Sequence, residues 1–411
     1  MSKWKFLTLK EAELEFIDGD RGVNYPKKSE LLPEGDCVFL NTGNVRQNSF
    51  DFSNLDFITK EKDNLLRNGK LQRDDIVLTT RGTVGNVALY SQEVPFSNIR
   101  INSGMVIIRV NKNFWHPYFI YLFFQSHLFK KQISRLISGS AQPQLPISIL
   151  ETVNIPQLTL DEQKEIIFNI KSIDQKIQIN NQINQELEAM AKTLYDYWFV
   201  QFDFPDQNGK PYKSSGGKMV YNPELKREIP EVWGVESVGN LLDKVTKAEK
   251  IENNSIEFIG EIPVIDQSQK YIAGFTNNEN AILQPQDGHV IFGDHTRVVK
   301  YINFDYARGA DGTQVLISNN ENISNVLLYH MIEDFDLSNY GYARHFKFLK
   351  EKTVIVPDKE VSSKFETQAN VIYEKIKNNI FENQELTQLR DWLLPMLMNG
   401  QVRVEDKTWK L

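Results

Sequence analysis

The chain has 411 residues, 41% apolar and 25% charged, with a net charge of −7 and a single cysteine, Cys37. That length and mix suit a globular protein of two or three domains, while the acidic balance excludes a nonspecific nucleic-acid coat, which is far more basic. Apolar runs are short and interrupted, so no membrane-spanning helix is expected, and one cysteine excludes an internal disulfide framework or a Cys-based zinc cage.

The opening MSKWKFLTLKEAELE has no signal-peptide apolar core, and a cytoplasmic location is the expectation. Cys37 reads as a small buried hydrophobe, because nothing near it stabilises a thiolate. Charge is uneven along the chain. Residues 1–155 hold 19 Lys+Arg against 16 Asp+Glu, whereas residues 201–357 hold 16 against 22. A site-specific reader with local basic stripes is compatible with that distribution.

The first segment, 1–157, mixes strand and helix signals. DDIVLTTRGTVGNVALY (74–90) reads as two strands joined by a Gly-rich turn, SGMVIIRV (103–110) as a further strand, and YFIYLFFQSHLFKKQI (118–133) as a helical stretch. The turn TTRGTVGN is neither a Walker A loop nor a GxGxxG. One reading is a tight β-turn. The other makes Thr80, Arg81, Thr83 and Asn86 donors to DNA phosphates and base edges. Further on, GSAQPQLPISILETVNIP offers Gln142 and Gln144, and glutamine pairs bidentately with adenine.

A long helix is expected next, over 158–200. Apolar residues recur at steps of four and three through Ile166, Ile170, Ile173 and Ile177. Asn180 and Asn184 follow, then Leu187, Ala191, Leu194 and Trp198. Thr159 and Glu162 fit a capping box at its start. A span from Leu160 to Trp198 is roughly 58 Å long at 1.5 Å per residue. Residues 201–232, rich in Gly, Pro, Ser and Lys, read as a linker.

The second segment, 233–357, repeats the order of the first: strand, turn, strand, strand, helix, carried by DGHVIFGDHTRVVKYI, GTQVLIS and NVLLYHMI. It carries a basic and polar set in Thr296, Arg297, Lys300, Arg344, His345 and Lys347. That set is either a solvated surface or a stripe facing a nucleic-acid groove. The last segment, 358–411, holds a second seam: Phe365, Ala369, Ile372, Ile376, Asn379, Asn383, Leu386, Arg390, Leu393, Leu397. Each position lies 199 residues after its counterpart in the first seam. Ser363 and Glu366 fit a capping box, Pro395 is expected to kink or end the helix, and Gly400 to stop it. The fold class expected is therefore α+β, as two mixed α/β domains in tandem pseudo-repeat, each followed by a long helix. Two matched helices in one chain are expected to pair antiparallel as a coiled coil, with Asn180, Asn184, Asn379 and Asn383 meeting at mid-length to set register.

No catalytic constellation emerges. Asp206, Glu224 and Lys226 match a PD…ExK nuclease pattern but lie in the linker, and no HExxH, Gly-x-Ser-x-Gly or methyl-donor motif occurs.

The stretches GSAQPQLPISILETVNIPQLTLDEQKEI, LYDYWFVQFDFPDQNGKPYKSSGGKMV, REIPEVW, GYARHFKFLKEKTVIVP and LRDWLLPMLMNG closely resemble the specificity (S) subunit of type I restriction-modification systems. The resemblance implies two target-recognition domains, each reading half of a bipartite site in double-stranded DNA, held apart by the coiled coil. It implies two methyltransferase (M) subunits as partners, with restriction (R) subunits joining them. It also implies no cofactor in this chain, with S-adenosylmethionine, ATP and Mg²⁺ used by the complex. The chain itself would be non-catalytic. The recognition domains of that family vary greatly, so no base-contacting residue carries over. A coiled-coil assembly scaffold without sequence-specific DNA binding is the alternative, and a single-chain nuclease would need the Asp206–Lys226 pattern to be real.

Overall fold

The run Met105–Arg109 is apolar in four consecutive residues, which suits a strand buried on both faces. In the computed structural model, which describes residues 4–46, 48–136, 144–243, 245, 248–257, 260–309, 312–340 and 344–402, that is where it lies. The chain divides into two compact units, Met1–Ile177 with Gln384–Leu411, and Gln178–Asn383. The division falls inside both long helices, so the helices are not separate domains; each half-helix completes the core of one unit.

In the first unit, Met105–Arg109 is flanked by Glu15–Asp18 and Ile76–Thr79 in an antiparallel sheet whose far edge is Val87–Leu89. Alternation along the strands assigns the two faces. Ile76, Leu78, Val106 and Ile108 pack with Phe119, Phe123, Ile166 and Ile170. Val77, Met105 and Ile107 pack with Val38, Leu40, Ile99 and Ile101. The latter come from a second sheet, in which Cys37–Leu40 pairs parallel with Ile99–Ile101. The helical stretch expected over 118–133 is two helices, Pro117–Gln125 and His127–Leu136. The break is Ser126, an extended residue whose hydroxyl donates to the Phe123 carbonyl at 2.6 Å.

The second unit repeats the plan. Leu242–Asp243, Thr313–Ser318, His289–Gly293 and Val299–Ile302 form a sheet in the same order as in the first unit. Its faces again divide between two cores, Val290, Phe292 and Leu316 against the helix Asn325–Ile332, and Ile291 and Ile302 against Ile265 and Tyr306. Residues 201–232 are more than a linker. Phe202, Phe204 and Ile229 are buried with Trp198, Phe199 and Trp233, and Met219–Asn222 pairs with Arg227–Pro230 as a hairpin.

The first long helix runs Leu160–Tyr195 and closes in a π-turn, Asp196–Val200. Its capping box forms: Glu162 N–H donates to the Thr159 hydroxyl at 3.3 Å, and Thr159 N–H to the Glu162 carboxylate at 2.9 Å. The second runs Lys359–Met398 and starts earlier than Ser363. Asp358 accepts from the Val361 amide at 3.0 Å and from the Trp233 indole at 3.1 Å, so an aspartate tied to the domain nucleates the helix in place of the expected serine. Pro395 sits inside this helix without ending it, and Met398 is its last residue. Gly400 does end the turn: its φ is +65°, and a Cβ there would meet the Trp4 ring at 2.6 Å.

Polar groups sit in the seam. In the second unit Asn180, fully buried, donates to Glu382 at 2.8 Å and to Asn383 at 2.9 Å. Asn379 donates to Asn184 and Asn383 to Asn181, each at 2.8 Å. In the first unit Arg390 pairs with Asp174 at 3.1 Å, and the Tyr118 hydroxyl donates to the same aspartate at 2.9 Å.

Candidate nucleic-acid interface

Each domain builds the same crossing of two chain segments. In the first, Thr80 N–H donates to the Gly104 carbonyl at 2.8 Å, and Leu145 N–H donates to the Thr80 carbonyl at 3.0 Å. In the second, Asp294 N–H donates to the Gly312 carbonyl at 2.7 Å, and His345 N–H donates to the Asp294 carbonyl at 2.9 Å. Thr80 thus corresponds to Asp294 and Leu145 to His345. The flanking exposed positions correspond as well, Arg81 to His295 and Gln144 to Arg344.

The crossing brings Arg81 and Gln144 together as a β-bridge, both exposed, although they are far apart in sequence. Thr83 is exposed at the turn tip. Thr80 and Asn86 serve the turn instead. The Thr80 side chain is buried and bonds Gly104, and the Asn86 amide donates to the Val45 carbonyl at 2.9 Å. Gln142 lies outside the described residues.

In the second domain Thr296, Arg297, Arg344 and Lys347 are exposed. Arg297 holds a left-handed backbone, φ +64°, in the turn. Lys300 and His345 are not surface groups. Lys300 is 4% exposed, its ammonium donating to the carbonyls of Asp266 and Lys270, and burial pulls its pKa down to about 8. It holds a loop in place and offers no free face to a groove. The His345 ring is buried with Nδ1 3.0 Å from the Asp294 carbonyl. Because a carbonyl only accepts, Nδ1 carries the proton.

Two charged residues went unnoticed in sequence. Lys250 and Arg308 are partners across a parallel strand pair. With Arg344, Asp294, Thr313 and Gln314 they line a cavity of about 220 Å³ beside the crossing. Only the long-range pairing brings them together, and a local motif carries no trace of it.

Elsewhere the chemistry is structural. Cys37 is fully buried, and burial, with the Asp63 carboxylate second, pushes its thiol up to about 12. Asp206 lies in a turn, and Glu224 and Lys226 at a hairpin tip, so the nuclease-like triplet does not share a packed sheet.

Both units thus carry the same crossing and one half of each long helix. Residues 1–189 match the family model of the type I restriction modification DNA specificity domain. Over nearly its whole length the chain is similar to specificity subunits of type I restriction enzymes. It is 25% identical to the MjaIX specificity subunit of Methanocaldococcus jannaschii, covering 80% of this chain and 78% of the relative. It is 23% identical to the HindI specificity subunit of Haemophilus influenzae, covering 98% and 100%. Its fold is that of the type-I restriction-modification S subunit from M. genitalium, with a TM-score of 0.52, 16% identity, and 97% and 96% of the two chains covered.

Proposed function

We propose that this chain is the non-catalytic specificity subunit of a type I restriction-modification complex and reads a bipartite site in double-stranded DNA, one half per domain. The observation that carries the reading is the duplicated crossing. It presents Arg81, Thr83 and Gln144 from the first domain, and His295, Thr296, Arg297 and Arg344 from the second. Arginine and glutamine are the side chains best matched to guanine and adenine edges in the major groove.

The spacer is an antiparallel coiled coil of the two long helices. Its support is the order of partners: Asn180 with Asn383 and Asn184 with Asn379, ascending on one helix and descending on the other. Apolar side chains left exposed on the helices, Phe168 and Trp392 in the first unit and Met190 and Val371 in the second, offer docking points for two methyltransferase subunits, with restriction subunits joining them. S-adenosylmethionine, ATP and Mg²⁺ belong to those partners.

The test is a complex of this chain with its methyltransferase subunits, carrying Arg81→Glu or Arg344→Glu. Each variant should lose or relax selection in one half of the methylated site and leave the other half intact. A pure assembly scaffold would show neither effect.

A further inference from the structure

The turn that carries His295, Thr296 and Arg297 is held from two sides. Its base closes on itself, with Arg297 N–H donating to the Gly293 carbonyl and Gly293 N–H to the Val298 carbonyl, each at 2.8 Å. Its tip is tied to a different loop. His295 N–H donates to the Gln267 side-chain oxygen at 3.1 Å, and the Thr296 hydroxyl donates to the Gln267 carbonyl at 2.6 Å. That loop follows the strand Ile262–Ile265 and has a firm base of its own. The Asp266 carboxylate accepts from the Ser268 amide at 2.9 Å, and the buried Lys300 ammonium donates to the Asp266 carbonyl at 2.8 Å. Two glycines make room for the loop: a Cβ at Gly309 would meet the Asp266 Cβ at 2.6 Å, and one at Gly312 would meet the Gln267 amide nitrogen at 2.5 Å. The first domain has the same arrangement. Asn41 follows the strand Cys37–Leu40 and accepts from the Gly43 amide at 2.8 Å, and a Cβ at Gly104 would meet the Thr42 Cγ2 at 2.7 Å. Gly104 and Gly312 accept corresponding bonds in the two crossings, so Thr42 and Gln267 occupy corresponding places.

We propose that Gln267 is a positioning residue for base selection by the second domain: it braces the tip of the turn, so that His295, Thr296 and Arg297 meet the DNA in one geometry. The proposal rests on the reading of the chain as a DNA selector. Gln267 acts through the turn and does not itself touch a base. Side chains that read base edges need such support, because discrimination depends on hydrogen bonds whose geometry is fixed by the contacts behind them. Lys300 gains a place in the same device. It offers no face to DNA, but it anchors the loop from which Gln267 reaches the turn.

The test has two readouts. The first is hydrogen exchange of the His295 amide in the full chain, without DNA. Gln267→Ala removes its acceptor and should speed exchange about 10-fold, while Gln267→Glu keeps an oxygen there and should restore protection. Unchanged exchange in Gln267→Ala would overturn the brace whatever the chain does with DNA. The second is methyl transfer by the full complex with its methyltransferase subunits, on duplexes carrying single base-pair changes in either half of its site. Gln267→Ala should reduce the preference for the correct base pair about 10-fold in the second domain's half and leave the first half as in wild type. The intact first half shows that the variant folds and assembles. Gln267→Glu should keep the preference in both halves, with rates lower on all duplexes alike because a negative charge now lies near the DNA. Rates that fall equally on every duplex in Gln267→Ala, with preferences unchanged, would reduce Gln267 to a structural part and overturn the proposal. So would a Gln267→Glu complex that loses second-half preference as Gln267→Ala does, because the amide would then be reading the base itself. A wild-type complex without preference in either half would instead overturn the DNA-selector reading, and the exchange result would still decide whether the brace exists.

Discussion

Asn180 is the sharpest handle on the helix pairing. It is fully buried, donates to Glu382 and Asn383, and its own Oδ1 has no partner among the described residues. Asn180→Leu removes one neutral hydrogen bond, worth about 1 kcal/mol, and one to a carboxylate, worth about 1.5–3 kcal/mol. It also relieves the orphaned oxygen, about 1–3 kcal/mol, and buries an apolar side chain, about 1.5–3 kcal/mol. Glu382 and Asn383 are both partly exposed and recover water. The balance is neutral to stabilising by about 1–2 kcal/mol. Asn180→Asp is the opposite case. It places a buried carboxylate at the position that now donates to Glu382 from 2.8 Å, and should cost about 3–5 kcal/mol at neutral pH. That loss should recede in acid as the new carboxyl takes a proton. Urea unfolding, with hydrogen exchange over residues 359–383, measures both. Spin labels at Met190→Cys and Val371→Cys, both exposed, read register, while the buried Cys37 thiol stays unlabelled. Asn180→Leu should broaden the distance distribution, toward a second component displaced by about 10 Å if one heptad slips. A costly leucine, a harmless aspartate or an unbroadened distribution would refute the argument that these amides fix register at the expense of stability.

Two further outcomes follow from buried charge. Arg100 is 5% exposed and bonds Asp63 and the carbonyls of Asn68 and Leu66, so Asp63→Ala strands a guanidinium and should destabilise the first unit by about 3–5 kcal/mol. Urea unfolding of that unit checks it, and a loss under about 1 kcal/mol would show that the ion pair is not holding the fold. Burial pulls the His289 pKa down to about 4, beside the Tyr306 hydroxyl at 3.0 Å. An unfolded histidine takes its proton near pH 6.5 and the folded one near 4, so the unfolded state binds more protons in that window. Stability of the second unit should therefore fall as pH drops from about 6.5 to about 4. The loss is about 1–2 kcal/mol once discounted for the ring's partial exposure, and His289→Phe should flatten it.

Local periodicity made much of this molecule legible. The apolar run Met105–Arg109 announces a strand with two buried faces, and the Asn-centred seams announce matched helices, because both patterns repeat over neighbouring residues. Residue type alone misled at Lys300 and His345. Their basic character suits either a solvated surface or a groove-facing stripe, and both side chains are instead turned inward by tertiary contacts that no local pattern encodes. The second helix start was misplaced for a similar reason. Ser363 and Glu366 satisfy the local capping rule, but Asp358 is fixed by Trp233, a contact from another part of the chain. The pairing of Lys250 with Arg308 was illegible altogether, since parallel register between distant strands leaves no short-range mark.

The central claim is that two readers in one chain each select half of a split DNA site. Single-molecule sequencing of methylated adenines in DNA from cells expressing this chain with its methyltransferase subunits tests it most directly. The account predicts a motif of two specified blocks separated by a fixed run of unspecified bases, with Arg81→Glu altering one block and Arg344→Glu the other. One continuous motif, or two blocks that respond together to either substitution, would contradict it.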